Sequence, residues 1–298
     1  MTIEFNCPNC DELIAFDSKH AGKRARCLSC GQLFTIPHKS REKAEKIKPE
    51  KKEMTDPLPG FYNAVFIENF KIFFNPKNAT SLVFVIAAVC FKFFLAPAMC
   101  CGHLTFFLVW GWLLAFYLNI IYETAFGIDE LPEIYLGTGA TFLWNALRPF
   151  LIFLYTMFIV QLPFIITLSL LQDKGITLLN LWQNTTGLGR LLQTLHIVGL
   201  FFFPIAILTT AVGRDFIMLF RPDYILLPVL KAFFPYIVAS ALLVAACLLE
   251  YRTTQYIGSS FLETAAQLAL NLAVQVVAII AMRSIGLFAR HFACHLPW

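Results

Sequence analysis

Charge is what this sequence has least of. Charged side chains make up 14% of the 298 residues against 58% hydrophobic, where soluble domains carry roughly 25% charged. A mean hydropathy of +0.68 excludes a purely soluble chain. The charge that exists is unevenly placed. Residues 1–60 hold 11 of the 23 Lys/Arg and 9 of the 19 Asp/Glu, leaving 22 charges for the remaining 238 residues. The shift falls near Pro57-Leu58-Pro59-Gly60 and divides the chain into an N-terminal unit (1–38), a charged linker (39–60) and a hydrophobic region (61–298).

Other signals are also missing. The first 20 residues contain Cys7, Cys10, Asp11, Glu12 and Asp17 and no apolar core, so no cleavable signal peptide is expected. The N-terminal unit is then expected in the cytosol, with the first membrane helix acting as an uncleaved insertion signal. No H-E-x-x-H, G-x-S-x-G, P-loop or intramembrane carboxylate pair occurs, which makes an enzyme the least supported class. The N-terminal unit lacks a basic excess as well. Lys19, Lys23, Arg24 and Arg26 are balanced by Glu4, Asp11, Glu12 and Asp17, whereas nucleic-acid surfaces are clearly cationic.

What is present is a pair of C-x-x-C turns. Cys7-Pro8-Asn9-Cys10 and Cys27-Leu28-Ser29-Cys30-Gly31 are separated by sixteen residues, a structural zinc pattern. Each turn aims two thiolates at one ion, and two turns complete a tetrahedron. Gly31 follows the second pair, where positive φ is easily accommodated. Ile3-Glu4-Phe5, Leu13-Ile14-Ala15-Phe16 and Leu33-Phe34-Thr35-Ile36 suit short strands. A unit of this size cannot bury enough apolar surface to fold alone, so zinc is expected to supply about 10–16 kcal/mol of apparent folding free energy. Disulfides do not suit a cytosolic segment, and a thioredoxin-type redox pair lacks its βαβ context. The charge balance fits contact with a protein partner, or plain structural use.

Phe5-x-Cys7-Pro8-x-Cys10, Ala21-Gly22-Lys23 and Cys27-x-x-Cys30-Gly31-x-x-Phe34-x-Ile36-Pro37 together resemble a bacterial family of finger-like zinc-ribbon domains, over residues 3–37. Such domains are often fused to uncharacterised membrane regions. The hydrophobic region is similar to uncharacterised multi-pass bacterial proteins at Glu130-Leu131-Pro132-Glu133 and at Arg290-His291-Phe292 with Leu296-Pro297-Trp298. Neither resemblance implies an activity.

The linker, with seven basic and five acidic residues over 39–56, reads as a solvated tether in which 40–48 suits a short charged helix. Its basic residues also favour anionic lipid, at about 1 kcal/mol each before the acids offset them. Beyond it, a span needs about 20 apolar residues to cross about 30 Å of hydrocarbon. Six segments qualify, near 79–98, 104–124, 149–171, 191–212, 226–250 and 264–285, preceded by an interfacial aromatic stretch at 61–74. The fold class expected is an all-α polytopic membrane protein with a small N-terminal β-type zinc ribbon. With a cytosolic N-terminus, the cytosolic side receives eight basic residues outside 1–60 and the far side three, Lys174, Arg190 and Arg252, as the positive-inside rule requires. The expected location is the bacterial inner (cytoplasmic) membrane with both ends cytosolic. Phe288, Phe292 and Trp298 with Arg290 and His291 suit an interfacial anchor.

Few polar residues enter the spans. Glu263, Gln267, Asn271 and Gln275 form a ridge at i, i+4 spacing on the sixth helix. Amides at that depth need partners, and two readings stand: a hydrophilic path, or interhelical hydrogen bonds worth about 0.6 kcal/mol each. Ala265, Ala269 and Ala273 beside the ridge favour packing. Lys92 lies inside the first helix, either as a functional charge or snorkelling to the far interface. Glu123 is expected at the interface and His196 packed or interfacial. His291, Cys294 and His295 suggest a second metal site that lacks a fourth ligand. Cys90, Cys100, Cys101 and Cys247 read as small hydrophobes. Pro163, Pro204, Pro228 and Pro235 are expected to kink helices.

Two functions fit. One is a non-enzymatic membrane scaffold or regulator with the ribbon as a cytosolic protein-docking module on a tether. The alternative is a small-molecule or lipid transporter using the polar face of the last helix.

Overall fold

The computed structural model describes residues 2–40, 45–46, 56–95, 102–133, 140–171, 176–177, 180–213, 216–253 and 260–296. Its N-terminal unit is two small sheets. Strands β1 (Thr2–Asn6) and β2 (Leu13–Asp17) pair antiparallel with Ile3 opposite Phe16 and Phe5 opposite Ile14. Strands β3 (Arg24–Arg26) and β4 (Leu33–Thr35) form the second hairpin. Burial in β1 alternates strictly, as one covered face requires. In β2, Ile14, Ala15 and Phe16 are all buried, so both faces of that strand are covered.

The linker departs from its expected helix. Glu45–Lys46 is a short strand, β5, added antiparallel to β4 with Lys46 opposite Phe34. The open edge of a two-stranded hairpin offers unpaired N–H and C=O groups, and that edge takes up the segment. Most of the remaining linker lies outside the described residues.

Among the described residues, six helices are long and apolar enough to cross a membrane. The spans run through α1 (Ala79–Cys90, continued by a π turn over Phe91–Leu95), α2 (Gly102–Ala125), α3 (Ala140–Val160), α5 (Gly187–Gly213), α7 (Phe233–Thr253) and α8 (Phe261–His291); α4 (Leu162–Leu170) and α6 (Pro222–Lys231) are shorter pieces between them. Several expected boundaries move. The third span begins at Ala140 rather than residue 149, because Pro149 is accommodated inside α3. It ends at Val160, since Pro163 lies in the first turn of α4 and the chain breaks at Gln161. The fifth begins at Phe233 rather than residue 226, and Pro235 falls in its first turn, where a missing N–H leaves nothing unsatisfied. The sixth gains a turn at each end, opened by a Ser260–Glu263 capping box.

The last helix is the centre of the bundle. α8 is the most enclosed span and packs on α7 and α2, with α1 and α5 beside it. The crossing with α2 is close: a Cβ on Gly286 would lie 2.7 Å from Thr124 Cβ and 2.8 Å from the Ile121 carbonyl. The helical stretch 61–74 lies on the C-terminal half of α8, where Asn69 Nδ2 donates to the Ile280 carbonyl and to Ser284 Oγ, both at 3.2 Å. Phe66, Ile67, Phe70 and Phe74 remain exposed on its outer face, as an interfacial helix requires.

Candidate functional site

The four cysteines converge. Cys7 and Cys30 sulfurs lie 3.6 Å apart, Cys10 and Cys27 sulfurs 3.7 Å apart, and all four within 4.8 Å of one another. A tetrahedron with Zn–S bonds of about 2.3 Å has edges of about 3.8 Å, whereas a disulfide is about 2.05 Å. The described cysteines are all free thiols, so the set fits one metal ion.

The two knuckles are built alike. Cys7 N–H donates to Glu12 O and Cys27 N–H to Gln32 O, while Asp11 N–H and Gly31 N–H return to the carbonyls of Cys7 and Cys27. Gly31 (φ 69°) and Asp11 (φ 57°) both occupy the left-handed region, which Asp is among the few other residues to tolerate. Desolvation pushes the Cys27 thiol up, and the Cys10 thiol to about 11. A bound dication reverses that preference, because a coordinating thiol is deprotonated outright. Four thiolate donors are a soft, tetrahedral set that suits zinc.

The ribbon sits on the bundle rather than standing free of it. Phe16 meets Tyr122 and Phe126 edge-on, with ring centroids 5.7 and 5.4 Å away. Ala15 N–H donates to the Tyr122 hydroxyl at 3.3 Å, and Arg26 N–H to the Phe126 carbonyl at 3.2 Å. This explains the second buried face of β2. Glu123, expected at the interface, is buried instead, because the ribbon covers it. His20 Nε2 lies 3.0 Å from Glu123 Oε1 but is not aligned with it as a hydrogen bond.

The loop after α2 joins the parts. Glu130 pairs with Lys23 of the ribbon and with Lys77 before α1, the latter at 3.0 Å. Lys23 first and Lys77 second hold the Glu130 carboxyl below its ordinary range. Asp129 accepts from Arg283 at 2.8 Å and Arg290 at 3.1 Å. Leu131 N–H donates to Asn78 Oδ1, and Ser81 Oγ donates to the Pro132 carbonyl. The segment Asp129-Glu130-Leu131-Pro132 is thus held against the ribbon, α1 and α8 together.

The polar ridge of α8 is bound up internally. Glu263 closes the capping box. Gln267 Nε2 donates to the Thr253 carbonyl at 2.9 Å, and Asn271 Nδ2 to the Gln267 carbonyl at 3.0 Å. Gln275 Nε2 donates to Glu250 Oε2 at 2.9 Å, and its Oε1 accepts from the Tyr117 hydroxyl. Of the two readings of Lys92, snorkelling does not match its placement. Its ammonium is buried, turned inward onto Glu250 of α7, and lies 4.9 Å from the centroid of the Trp110 ring. Lys92, Glu250, Gln275 and Tyr117 therefore form one chain of polar contacts across four helices. Glu250 was read from sequence only as the end of a span. Its signal was scarcity, since any acid in an apolar helix needs a partner.

His196 packs against Phe164 and Gln161. His291 Nδ1 faces the Leu287 carbonyl at 3.0 Å, while Cys294 Sγ faces His295 Nδ1 at 3.7 Å. Among the described residues only Cys7, Cys10, Cys27 and Cys30 converge as a metal-binding group. Cys100 and Cys101 lie outside the described residues. Comparison with family models, with curated proteins and with solved structures gives no match.

Proposed function

We propose that this chain is a non-enzymatic scaffold or regulator of the bacterial inner membrane, with both ends in the cytosol and a zinc-held ribbon as its protein-docking cap. The observation that carries this reading is the seat of the ribbon. The residues Ala15, Phe16, His20 and Lys23 lie on the bundle, while Leu13, at the start of β2, is 59% exposed and open to a partner. Metal loading then sets the shape of the whole cytosolic side rather than that of a loose module. Orientation follows from the basic residues on the ribbon side. The ends share that side, since Leu58 N–H donates to the His291 carbonyl at 2.8 Å. The likeness to finger-like ribbons agrees with zinc as the ion. The transport reading has less support, because the ridge that motivated it makes internal hydrogen bonds.

The test is a photo-crosslinking residue at Leu13 in wild type and in Cys27→Ala, both inserted in native membranes. Wild type is expected to bind one zinc per chain and to give a discrete protein adduct. Cys27→Ala should lose metal and adduct while keeping membrane insertion. An identical adduct pattern in the two proteins would sink the proposal.

A further inference from the structure

The ribbon's two hairpins have four outer edges, and the backbone groups along each need partners. Two edges rest on the bundle. On β2, Ala15 N–H donates to the Tyr122 hydroxyl, and on β3, Arg26 N–H donates to the Phe126 carbonyl. The other two are met by residues that follow the ribbon. Ser40 Oγ accepts from Glu4 N–H at 3.2 Å and donates to the Thr2 carbonyl at 3.3 Å, across the outer edge of β1. Glu45–Lys46 lies as β5 along the outer edge of β4. The linker therefore meets the ribbon at both edges that the bundle leaves open.

The register defines the contact on β4. Ile36 N–H turns toward β3, donating to the Lys23 carbonyl. By alternation Thr35 turns its backbone the other way, toward Glu45 opposite it. Lys46 stands opposite Phe34, which is buried. This hold is built to be replaced. Two residues fall short of an ordinary strand of roughly three to ten. Lysine is depleted in strands, whereas aromatic or β-branched cross-strand neighbours stabilise a pair. The tether compensates: nine residues separate Thr35 from Glu45, and a short flexible link gives a local concentration on the order of millimolar.

We infer that the β4 edge is where the ribbon takes an extended segment of a partner protein as an added strand, and that Glu45–Lys46 occupies this edge as an autoinhibitory strap. The register states the partner's chemistry. Its backbone presents a free N–H and C=O opposite Thr35, and it carries an aromatic or β-branched residue opposite Phe34. A segment of ordinary strand length with that residue displaces the strap. The inference rests on the docking-cap reading and gives it a site and a control.

The test uses the zinc-loaded full chain in detergent and a fluorescein-labelled peptide of residues 40–48 carrying Lys46→Val. In the full chain, Glu45→Pro removes the N–H that faces Thr35 and should release the strap, while Lys46→Val should tighten it. The peptide is expected to bind Glu45→Pro about tenfold more tightly than wild type, and wild type more tightly than Lys46→Val. Amide hydrogen exchange at Thr35 should be faster in Glu45→Pro, with Phe34, which faces β3, unchanged. Equal peptide affinity in the three proteins, no binding to Glu45→Pro, or Thr35 exchange as fast in wild type as in Glu45→Pro would each overturn the inference. One zinc per chain shows that a variant ribbon is folded. Should Glu45→Pro lose zinc, wild type against Lys46→Val decides by the same order. Neither readout involves a cellular partner, so failure here leaves the docking cap standing, whereas a zinc-independent adduct at Leu13 would sink the cap and leave the peptide order intact.

Discussion

Replacing Lys92 by methionine keeps the length of the side chain and removes its charge, leaving the Glu250 carboxylate with Gln275 as its remaining partner in the chain of contacts. Breaking a buried pair from one side costs about 3–5 kcal/mol, because a charge is left uncompensated. The reverse change, Glu250→Leu, is expected to cost less, since a lysine about one turn from the end of its span can redirect its ammonium toward the interface. Replacing both, by Lys92→Met with Glu250→Leu, removes the unpaired charge and leaves only the Gln275 amide short of an acceptor, at about 0.6–1.7 kcal/mol. The double variant should therefore be more stable than Lys92→Met alone, by about 2 kcal/mol on these figures. Unfolding in mixed micelles of increasing sodium dodecyl sulfate gives the free energies. Trp110, 4.9 Å from the ammonium, gives a fluorescence signal at the site itself. Additive effects of the two single changes, or a cost under about 1 kcal/mol for Lys92→Met, would refute the buried pair.

Two other outcomes follow from contacts described above. Glu130 is held below its ordinary range by Lys23 and then Lys77. Its contribution to seating the ribbon is complete above the ordinary carboxylate pKa, about 4.3, and is lost as pH falls through the depressed value. Crosslinking between cysteines placed at Ala15 and Tyr122, followed from neutral to acid pH, should show that loss, and Glu130→Gln should abolish the pH dependence; a profile unchanged by Glu130→Gln would contradict it. On α8, Asn271→Cys, at a position 1% exposed, should resist water-soluble thiol reagents while Leu262→Cys, at 78% exposure, reacts. Rapid labelling at residue 271 would restore the hydrophilic-path reading.

The sequence was most legible where cause and effect are local. The two C-x-x-C turns set their own geometry within a few residues, and the spans announce themselves by apolar length. Boundaries failed at Pro149 and Pro235 because the cost of a proline depends on how far it stands from a helix start, which composition does not reveal. The partners of Lys92 and His20 lie 158 and 103 positions away and depend on packing register. The seat of the ribbon did leave a trace. Leu13-Ile14-Ala15-Phe16 is a continuous apolar run, and strands covered on both faces read that way. Asp11 was legible in principle too, since it follows its second cysteine just as Gly31 does.

The position of α8 has a consequence for how the chain is made. It is the last of the six spans in chain order, yet it supplies the bonding partners of Asn69 and Tyr117 and the amide that supports Glu250. Helices that insert one by one associate only afterwards. During synthesis, the earlier spans therefore wait in the bilayer with Asn69 and Tyr117 short of these partners, and the ribbon's base lacks the arginines that fix Asp129. Arrival of α8 completes these contacts together. Closure of these contacts thus waits for α8, and chains halted before residue 261 should be recognised as unfinished by membrane quality control.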